Sequence, residues 1–306
     1  MSATATAPAP RRSAEPARSR WRMPWRHFLI GLTCLIGVGV MLYPTVAAWI
    51  TQYYQSQLIV DYSSRVVQIP PEGRARAIQQ AEAYNAALTG GAELAANERL
   101  PLSERAATGI DYHQTLLADA NGLMARIKIP GIDVDLPIYH GTTDEVLRNG
   151  VGHLEGTALP VGGPSTHAVL TAHRGLAGAE LFDNLDKVEP GDTFTVEVFG
   201  EVLTYRVVDT RVVAPEETET LYPWAGQDLV TLVTCTPLGI NSHRILVTGE
   251  RVLPTPVEDV EAAGERPSVP KFPWWAVLIG GTVVAVGGYI YLAGRPPRHT
   301  ARRAAS

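Results

Sequence analysis

The chain has 306 residues, 45% of them hydrophobic and 19% charged, which is enough for one sizeable domain with appendages. Its net charge of -5 gives no electrostatic reason to expect nucleic-acid binding. The sequence holds two cysteines, and Cys34 lies in an apolar run, so we expect no disulfide between it and Cys235. If the domain around Cys235 is outside the cell, its unpaired thiol is best explained as a reactive group.

The N-terminal part begins as a polar tail and becomes apolar. Residues 1–26 are rich in Ala, Pro, Ser and Arg, a composition typical of a disordered basic tail. Residues 28–50 carry no charge and are long enough to cross about 30 Å of hydrocarbon. A cleaved signal peptide is the alternative, because residues 46–48 are small, but the apolar run exceeds the usual length. We therefore predict an uncleaved membrane helix over residues 27–50.

A second uncharged run lies near the C-terminus, and we predict a second membrane helix over residues 272–294. A buried core helix is the alternative, which the length and uniform apolar character disfavour. The basic tail at 295–306 follows it. Because arginines flank both runs, the positive-inside rule places both termini in the cytoplasm and residues 51–271 outside the membrane. The sequence therefore predicts a two-pass membrane protein.

The region between the two runs changes from helix formers to strand formers. Residues 51–119 are predicted to form a helical stalk with a candidate lid region, and Pro70-Pro71 begins the second of two helices. We expect the stalk to act as a spacer. Residues 120–253 hold short β-branched runs separated by turn signals such as Pro130-Gly131, a pattern that favours a closed β-barrel. A linker follows at 254–271.

Seven strands are predicted in this mostly β domain, at residues 124–129, 134–139, 168–172, 193–198, 202–213, 229–234 and 244–253. Short helices are predicted at 144–148 and 179–186.

The chemistry is predicted at the junction of the last two strands. Residues 231–234 and 245–248 are β-branched runs joined by turn formers, so Cys235 ends one strand and Arg244 begins the next. A thiol is a good nucleophile when a cation lowers its pKa or a base takes its proton, and a guanidinium can also donate to an oxyanion. A buried small hydrophobe is the alternative for a lone cysteine, but the neighbouring arginine and polar loop favour a reactive thiol.

A histidine would complete this site, and His173 is the favoured candidate. It follows a predicted strand in the block TAHRG, where a side chain can lie at a strand end. Four other histidines share the domain, namely His140, His153, His167 and His243. Neighbours on a strand point to opposite faces, so His243 should not face Cys235 if Arg244 does. We keep His243 as the reserve candidate.

These blocks carry a family resemblance. TLVTC, followed nine residues later by Arg244, with TAHR upstream, resembles the sortase family, the membrane-anchored cysteine transpeptidases of Gram-positive bacteria. The longer form TCTPLGINSHR, with IPGIDVDLPIYHGT at 129–142, resembles the pilin-polymerising branch, class C. Two membrane spans also separate that branch from single-anchor sortases. The resemblance covers about residues 117–252 and implies an eight-stranded β-barrel.

The resemblance also implies a reaction. Cys235 would attack the threonine carbonyl of an LPXTG-like sorting signal in another protein, cleaving it between Thr and Gly and forming a thioacyl-enzyme. Arg244 would stabilise the oxyanion, and His173 would act as general acid and base. A pilin lysine is the expected acceptor, with a cell-wall precursor amine as the alternative. We expect no cofactor and no metal, because no carboxylates occur at calcium-loop spacing.

The sequence departs from class C relatives at the lid. Those relatives commonly carry an Asp-Pro-aromatic triplet over the catalytic cysteine, and residues 52–120 contain none. Asp111 with Tyr112 is one stand-in, and the pseudosubstrate-like LPLS at 100–103 is another, with an ordinary surface loop as the alternative. Thr234 is a further candidate for substrate binding.

Three other functions remain open. A housekeeping sortase would anchor proteins to the cell wall, a membrane cysteine protease would only hydrolyse, and a surface scaffold would keep the fold without activity. A scaffold has no reason to keep Cys235, His173 and Arg244 together.

Overall fold

The computed structural model describes residues 21–94, 110–119 and 122–295, with the backbone alone at 89–94. The LPLS segment at 100–103 and most of both predicted basic tails lie outside these residues. The chain divides into two units, Met1–Leu42 with Trp274–Ser306, and Tyr43–Pro273. Five α-helices, α1 to α5 in chain order, cover Trp25–Gln68, Pro71–Leu94, Asp144–Asn149, Val257–Glu261 and Trp274–Ala293 of the described chain.

Two of these helices, α1 and α5, are long and apolar enough to cross a membrane. Helix α5 has 20 residues, which at about 1.5 Å per residue matches a hydrocarbon core of about 30 Å. Helix α1 has 44 residues and continues from the apolar run into the predicted stalk, with Pro44 in its interior. The end of the predicted membrane segment at residue 50 is therefore not the end of a helix.

The polar half of α1 and helix α2 pack on the barrel. The Tyr62 hydroxyl donates to the Met124 carbonyl at 3.0 Å and accepts from the Phe199 N–H at 3.0 Å. On α2, which begins at Pro71, the Asn85 side chain pairs with both backbone groups of Leu159, at 3.0 and 2.7 Å. Both helices are therefore tied to buried barrel backbone.

Eight strands form a closed barrel with the order β1-β2-β3-β4-β7-β8-β6-β5, which confirms the predicted architecture. Strands β1 to β8 cover Leu123–Ile129, Val134–His140, Val151–His153, Thr166–Thr171, Thr193–Val198, Glu201–Val213, Asp228–Thr236 and His243–Arg251.

Two local predictions differ from the structure. Strand β3 was not predicted, because three residues are too few to show an alternating pattern. The helix predicted at 179–186 is wrong, and only a 3-10 turn occurs there, at Leu185–Lys187. The Asp183 carboxylate accepts from the Gly175 N–H at 2.7 Å, and such side-chain bonds to backbone favour an irregular loop over a helix.

The predicted linker at 254–271 packs against the barrel. Its Glu265 carbonyl accepts from Arg126 at 2.8 Å, and Arg126 is 1% exposed. The same guanidinium donates to both Asp135 oxygens at 2.7 Å and to Glu197 at 3.3 Å. This buried network lies on strands β1, β2 and β5 and joins the linker to them.

Buried histidines make the stability of this domain depend on pH. His153 is fully buried; its Nε2 donates to the Ala158 carbonyl at 2.8 Å, so its Nδ1 accepts from the Tyr112 hydroxyl at 2.9 Å. Burial lowers the pKa of His153 to about 4. The unfolded chain then binds more protons than the native one below about pH 6.5. The contribution of the buried, neutral His153 to the free energy of unfolding is complete above about pH 6.5 and is lost as the pH falls toward 4.

We therefore expect the free energy of unfolding to fall by up to about 3 kcal/mol from His153 alone as the pH drops from about 6.5 to 4. Denaturant unfolding of the wild type and of His153→Gln across this range measures it, and His153→Gln should show the smaller slope. The exposed His243→Gln is the control and should keep the wild-type slope. Equal slopes for His153→Gln and the wild type would contradict the assignment.

Candidate active site

Cys235 and Arg244 lie opposite each other on two paired strands. The antiparallel register of β7 and β8 pairs Cys235 directly with Arg244. Side chains of paired residues share one face of a sheet, with Cβ atoms about 5 Å apart. Cys235 is a free, partly exposed thiol near the end of β7. The hairpin predicted from the sequence therefore brings these two side chains to the same face.

His173 joins them through the parallel pairing of β4 and β7. The register pairs Thr171 with Val233, and the Ala172 N–H donates to the Val233 carbonyl at 3.1 Å, which extends the ladder. Two residues further along each chain, His173 is level with Cys235 and on the same face, because side chains alternate with a period of two. Adjacent strands lie about 4.8 Å apart. The register thus lines up His173, just past the end of β4, with Cys235 on β7 and Arg244 on β8, and this set is hereafter named the catalytic row after the role predicted for it.

The catalytic row lies on the outer face of the barrel. On the same three strands, Leu170, Leu232 and Val247 are paired with one another, are 0% exposed and point into the core. The residues of the row have the opposite parity, so they point outward. Cys235 and His173 are partly exposed. A partly exposed side chain on the outer face of the barrel can be reached by a segment of another protein.

The other histidines of the described barrel have different places. His167 donates from Nδ1 to the Tyr222 carbonyl at 3.0 Å, so Nε2 accepts from Thr231 at 2.7 Å, and burial lowers its pKa. His140 is buried, with both ring nitrogens against backbone carbonyls, and His153 is in the core.

His243 is paired with Thr236, so it points away from the face of Cys235. The register therefore favours His173 over the reserve candidate.

Arg244 is held by the loop between the two strands. Its Nη1 donates to the Asn241 carbonyl at 2.9 Å and to the His243 carbonyl at 3.0 Å. These contacts attach the guanidinium to the loop between β7 and β8. They are compatible both with donation to an oxyanion and with a role in shaping the loop.

Thr234 does not have the place predicted for a substrate contact. Its side chain is 1% exposed and donates to the Ala172 carbonyl at 2.8 Å. It lies on the core side of β7, because successive side chains alternate and Cys235 points outward. Thr234 therefore ties the strand of Cys235 to the residue before His173.

The proposed lid stand-in is also placed differently. Tyr112 is 0% exposed; its hydroxyl bonds His153 and also accepts from the Gly141 N–H at 2.9 Å. Asp111 caps the short 3-10 turn that follows it by accepting from the His113 N–H at 3.0 Å. A ring buried in the core cannot cover an exposed thiol, so the prediction of a lid role for Tyr112 is wrong.

Residue Arg174 was not singled out by sequence reasoning, although it belongs to the block TAHR. Its guanidinium contacts Thr236, the residue after Cys235, at 3.1 Å. Its position next to His173 was the available signal.

Comparison with known proteins finds relatives of the barrel domain. Residues 127–252 match the protein family described as Sortase domain. The structure is similar to sortase C1 from Streptococcus agalactiae, with 41% identity, a TM-score of 0.58, and coverage of 64% of this chain and 98% of that one. It is also similar to Streptococcus pneumoniae sortase C, a structure described as giving insight into pilin substrate specificity, at 37% identity and TM-score 0.55, covering 64% and 96% of the two chains.

A third similar structure is Clostridium perfringens sortase C with the C-terminal cell wall sorting motif, at 38% identity and TM-score 0.55, covering 64% of this chain and 98% of that one. Curated sortases A, D and E from Streptococcus, Bacillus and Streptomyces species are 27–33% identical over 39–44% of this chain. This chain spans about half the length of those curated relatives, between 40% and 62%.

Proposed function

Because the chain belongs to the sortase family and its structural neighbours are class C sortases, we propose that it is a cysteine transpeptidase acting on sorting signals. The observation that carries the proposal is the catalytic row of His173, Cys235 and Arg244 on the open face of three neighbouring strands. The row holds a nucleophile, an acid–base group and a cation, which are the groups that acyl transfer needs.

In the first half-reaction, the Cys235 thiol gives its proton to His173, and the sulfur attacks the threonine carbonyl carbon of an LPXTG-like signal. The carbonyl oxygen becomes an oxyanion, and Arg244 stabilises it through N–H donors. When the intermediate collapses, the bond between Thr and Gly breaks, and His173 protonates the leaving glycine amine. The product is a thioester between the substrate threonine and Cys235.

In the second half-reaction, an acceptor amine attacks the thioester carbon. His173 takes a proton from the amine, the new amide forms, and Cys235 leaves as a thiolate. We propose a lysine of a pilin subunit as the acceptor. The support is the likeness to class C sortases, since the Streptococcus pneumoniae structure is described as giving insight into pilin substrate specificity. The three side chains supply every group used, so the proposed reaction needs no cofactor.

Product analysis tests this function. Detergent-solubilised full-length protein is incubated with an LPXTG-type peptide, a lysine-containing pilin peptide and an oligoglycine amine, and products are identified by mass spectrometry. We expect the lysine-linked product to dominate. A predominant oligoglycine adduct would instead indicate anchoring to the wall, and threonine carboxylate alone would indicate a hydrolytic protease. No cleavage of any LPXTG-type peptide would contradict the proposal.

We also propose that α1 and α5 anchor the enzyme in the cell membrane with residues 51–271 outside and both termini in the cytoplasm. The support is the apolar length of both helices and the arginines that flank them. Protease added to intact protoplasts should cut within 51–271 and leave epitope tags at both termini protected. Cleavage of the tags, with the segment 51–271 protected, would reverse the topology and remove a role at the cell surface.

A further inference from the structure

Arg174 is a largely buried arginine that connects two loops at the catalytic row. Its side chain is 10% exposed, and each of its three nitrogens has a different partner. Nε donates to the Asp183 carbonyl at 3.0 Å, Nη1 donates to the Thr236 hydroxyl at 3.1 Å, and Nη2 pairs with the Asp186 carboxylate at 2.6 Å. The guanidinium therefore bonds both to its own loop and to the end of strand β7.

These contacts lie behind the catalytic row. Thr236 is next to Cys235 and Arg174 is next to His173, and adjacent side chains alternate between the two faces of a sheet. The bond between Arg174 and Thr236 thus joins the two chain segments on the face opposite to the row. This bond lies beyond the last pair of residues in the β4–β7 ladder, Thr171 and Val233. It therefore joins the two segments at the position where His173 must stay beside Cys235.

The loop that carries His173 depends on the same residue for its shape. Besides the two contacts of Arg174, the Gly175 N–H donates to the Asp183 carboxylate at 2.7 Å, and the Phe182 N–H donates to the His173 carbonyl at 3.1 Å. Residues 173–186 thus close on themselves around Arg174. The closed loop is then attached to β7 through Thr236.

We propose that Arg174 is a positioning residue that holds His173 and Cys235 in register for acyl transfer. The inference rests on the proposed function of the catalytic row. Arg174 acts through Thr236 and the 173–186 loop and does not itself contact the reacting atoms. A guanidinium suits this role because its rigid planar fork serves three partners at once, which a lysine ammonium at the end of a flexible chain does not.

The test uses Arg174→Lys, Thr236→Val and the double variant, with Thr236→Ser as the conservative variant that keeps the hydroxyl. Small misplacements of reacting groups cost up to about 10²-fold in rate. We expect Arg174→Lys to lower kcat for LPXTG-peptide cleavage by about 10- to 100-fold with KM nearly unchanged. Thr236→Val should give a smaller loss of kcat, and Thr236→Ser should be close to wild type. Because Arg174 acts partly through Thr236, the fold-loss of kcat in the double variant should be smaller than the product of the fold-losses in the two single variants.

A second readout does not depend on any substrate. In a Cys34→Ser background, the rate of Cys235 alkylation by iodoacetamide is measured against pH. The profile of Arg174→Lys should differ from that of the parent, because the histidine beside the thiol is no longer held. If the parent protein shows no transpeptidation, the proposed function fails, whereas this alkylation arm still decides whether Arg174 holds the pair.

The matched control is Arg126→Lys, which makes the same change in another buried arginine. Strand β1, which carries Arg126, is four strands from β7 in either direction around the barrel. Arg126→Lys should lower stability while leaving kcat and the alkylation profile of the folded protein unchanged. The proposal is overturned if Arg174→Lys behaves like this control, or if the losses of Arg174→Lys and Thr236→Val simply multiply. If Arg174→Lys does not fold, wild-type kcat and alkylation in Thr236→Val overturn it.

Discussion

Replacing Cys235 with alanine should abolish cleavage of an LPXTG-type peptide, with a loss of more than about 10³-fold, because no other group of the catalytic row can form the thioester. The fold should survive, since Cys235 is partly exposed near the end of β7 and alanine leaves no buried cavity there. Peptide cleavage and detection of the acyl-enzyme by mass spectrometry measure the effect. The thermal midpoint of the same sample reports on the fold.

The chain offers a matched control for this experiment in its second cysteine. Cys34→Ala makes the same chemical change in helix α1, within the first predicted membrane segment, and should leave both cleavage and the acyl-enzyme intact. Wild-type cleavage by Cys235→Ala would mean that the nucleophile lies elsewhere. Loss of activity in Cys34→Ala would contradict the assignment of Cys235 as the only reacting thiol.

Replacing Arg244 with lysine should lower kcat by on the order of 10²-fold or more. An oxyanion needs directed N–H donors, and lysine keeps the charge but loses the planar fork. The alternative is that Arg244 only shapes the loop, since its Nη1 donates to the carbonyls of Asn241 and His243. A lysine can donate to carbonyls too, so that alternative predicts nearly normal turnover and a small change in stability.

Measuring kcat and the thermal midpoint on the same Arg244→Lys sample separates the two roles. Lost turnover at an unchanged midpoint supports oxyanion stabilisation, whereas normal turnover would exclude it. Arg206→Lys, an exposed arginine on β6, controls for the general effect of this substitution and should leave both quantities unchanged.

The hairpin that carries Cys235 and Arg244 could be predicted because the residues that specify it are close together in the sequence. Two β-branched runs and the turn formers between them place Cys235 and Arg244 near each other, and the observed register pairs them directly. The barrel could also be predicted, since seven of its eight strands are β-branched runs bounded by turn signals. Strand β3 was missed because it has three residues and depends on a parallel pairing with β2 and an antiparallel one with β4.

The lid region shows where residue type misleads. An acid followed by an aromatic ring at Asp111 and Tyr112 has the composition of a covering segment. In the fold, the ring is fully buried and its hydroxyl bonds a histidine about forty residues away. Whether a tyrosine covers a site or fills a core is decided by the surfaces packed against it, which local sequence does not contain.

By itself, the sequence predicted the class of domain and the helices long enough for a membrane, and it singled out His173, Cys235 and Arg244 as candidate site residues, because periodicity, apolar length and motif residues are local features of the chain. Only the tertiary structure decided that these three side chains form one outward-facing row, and that Arg174 joins the loop of His173 to Thr236. His173 and Cys235 are about sixty residues apart in sequence. They become neighbours only because β4 and β7 pair in parallel, and such non-local pairing depends on the closure of the whole barrel.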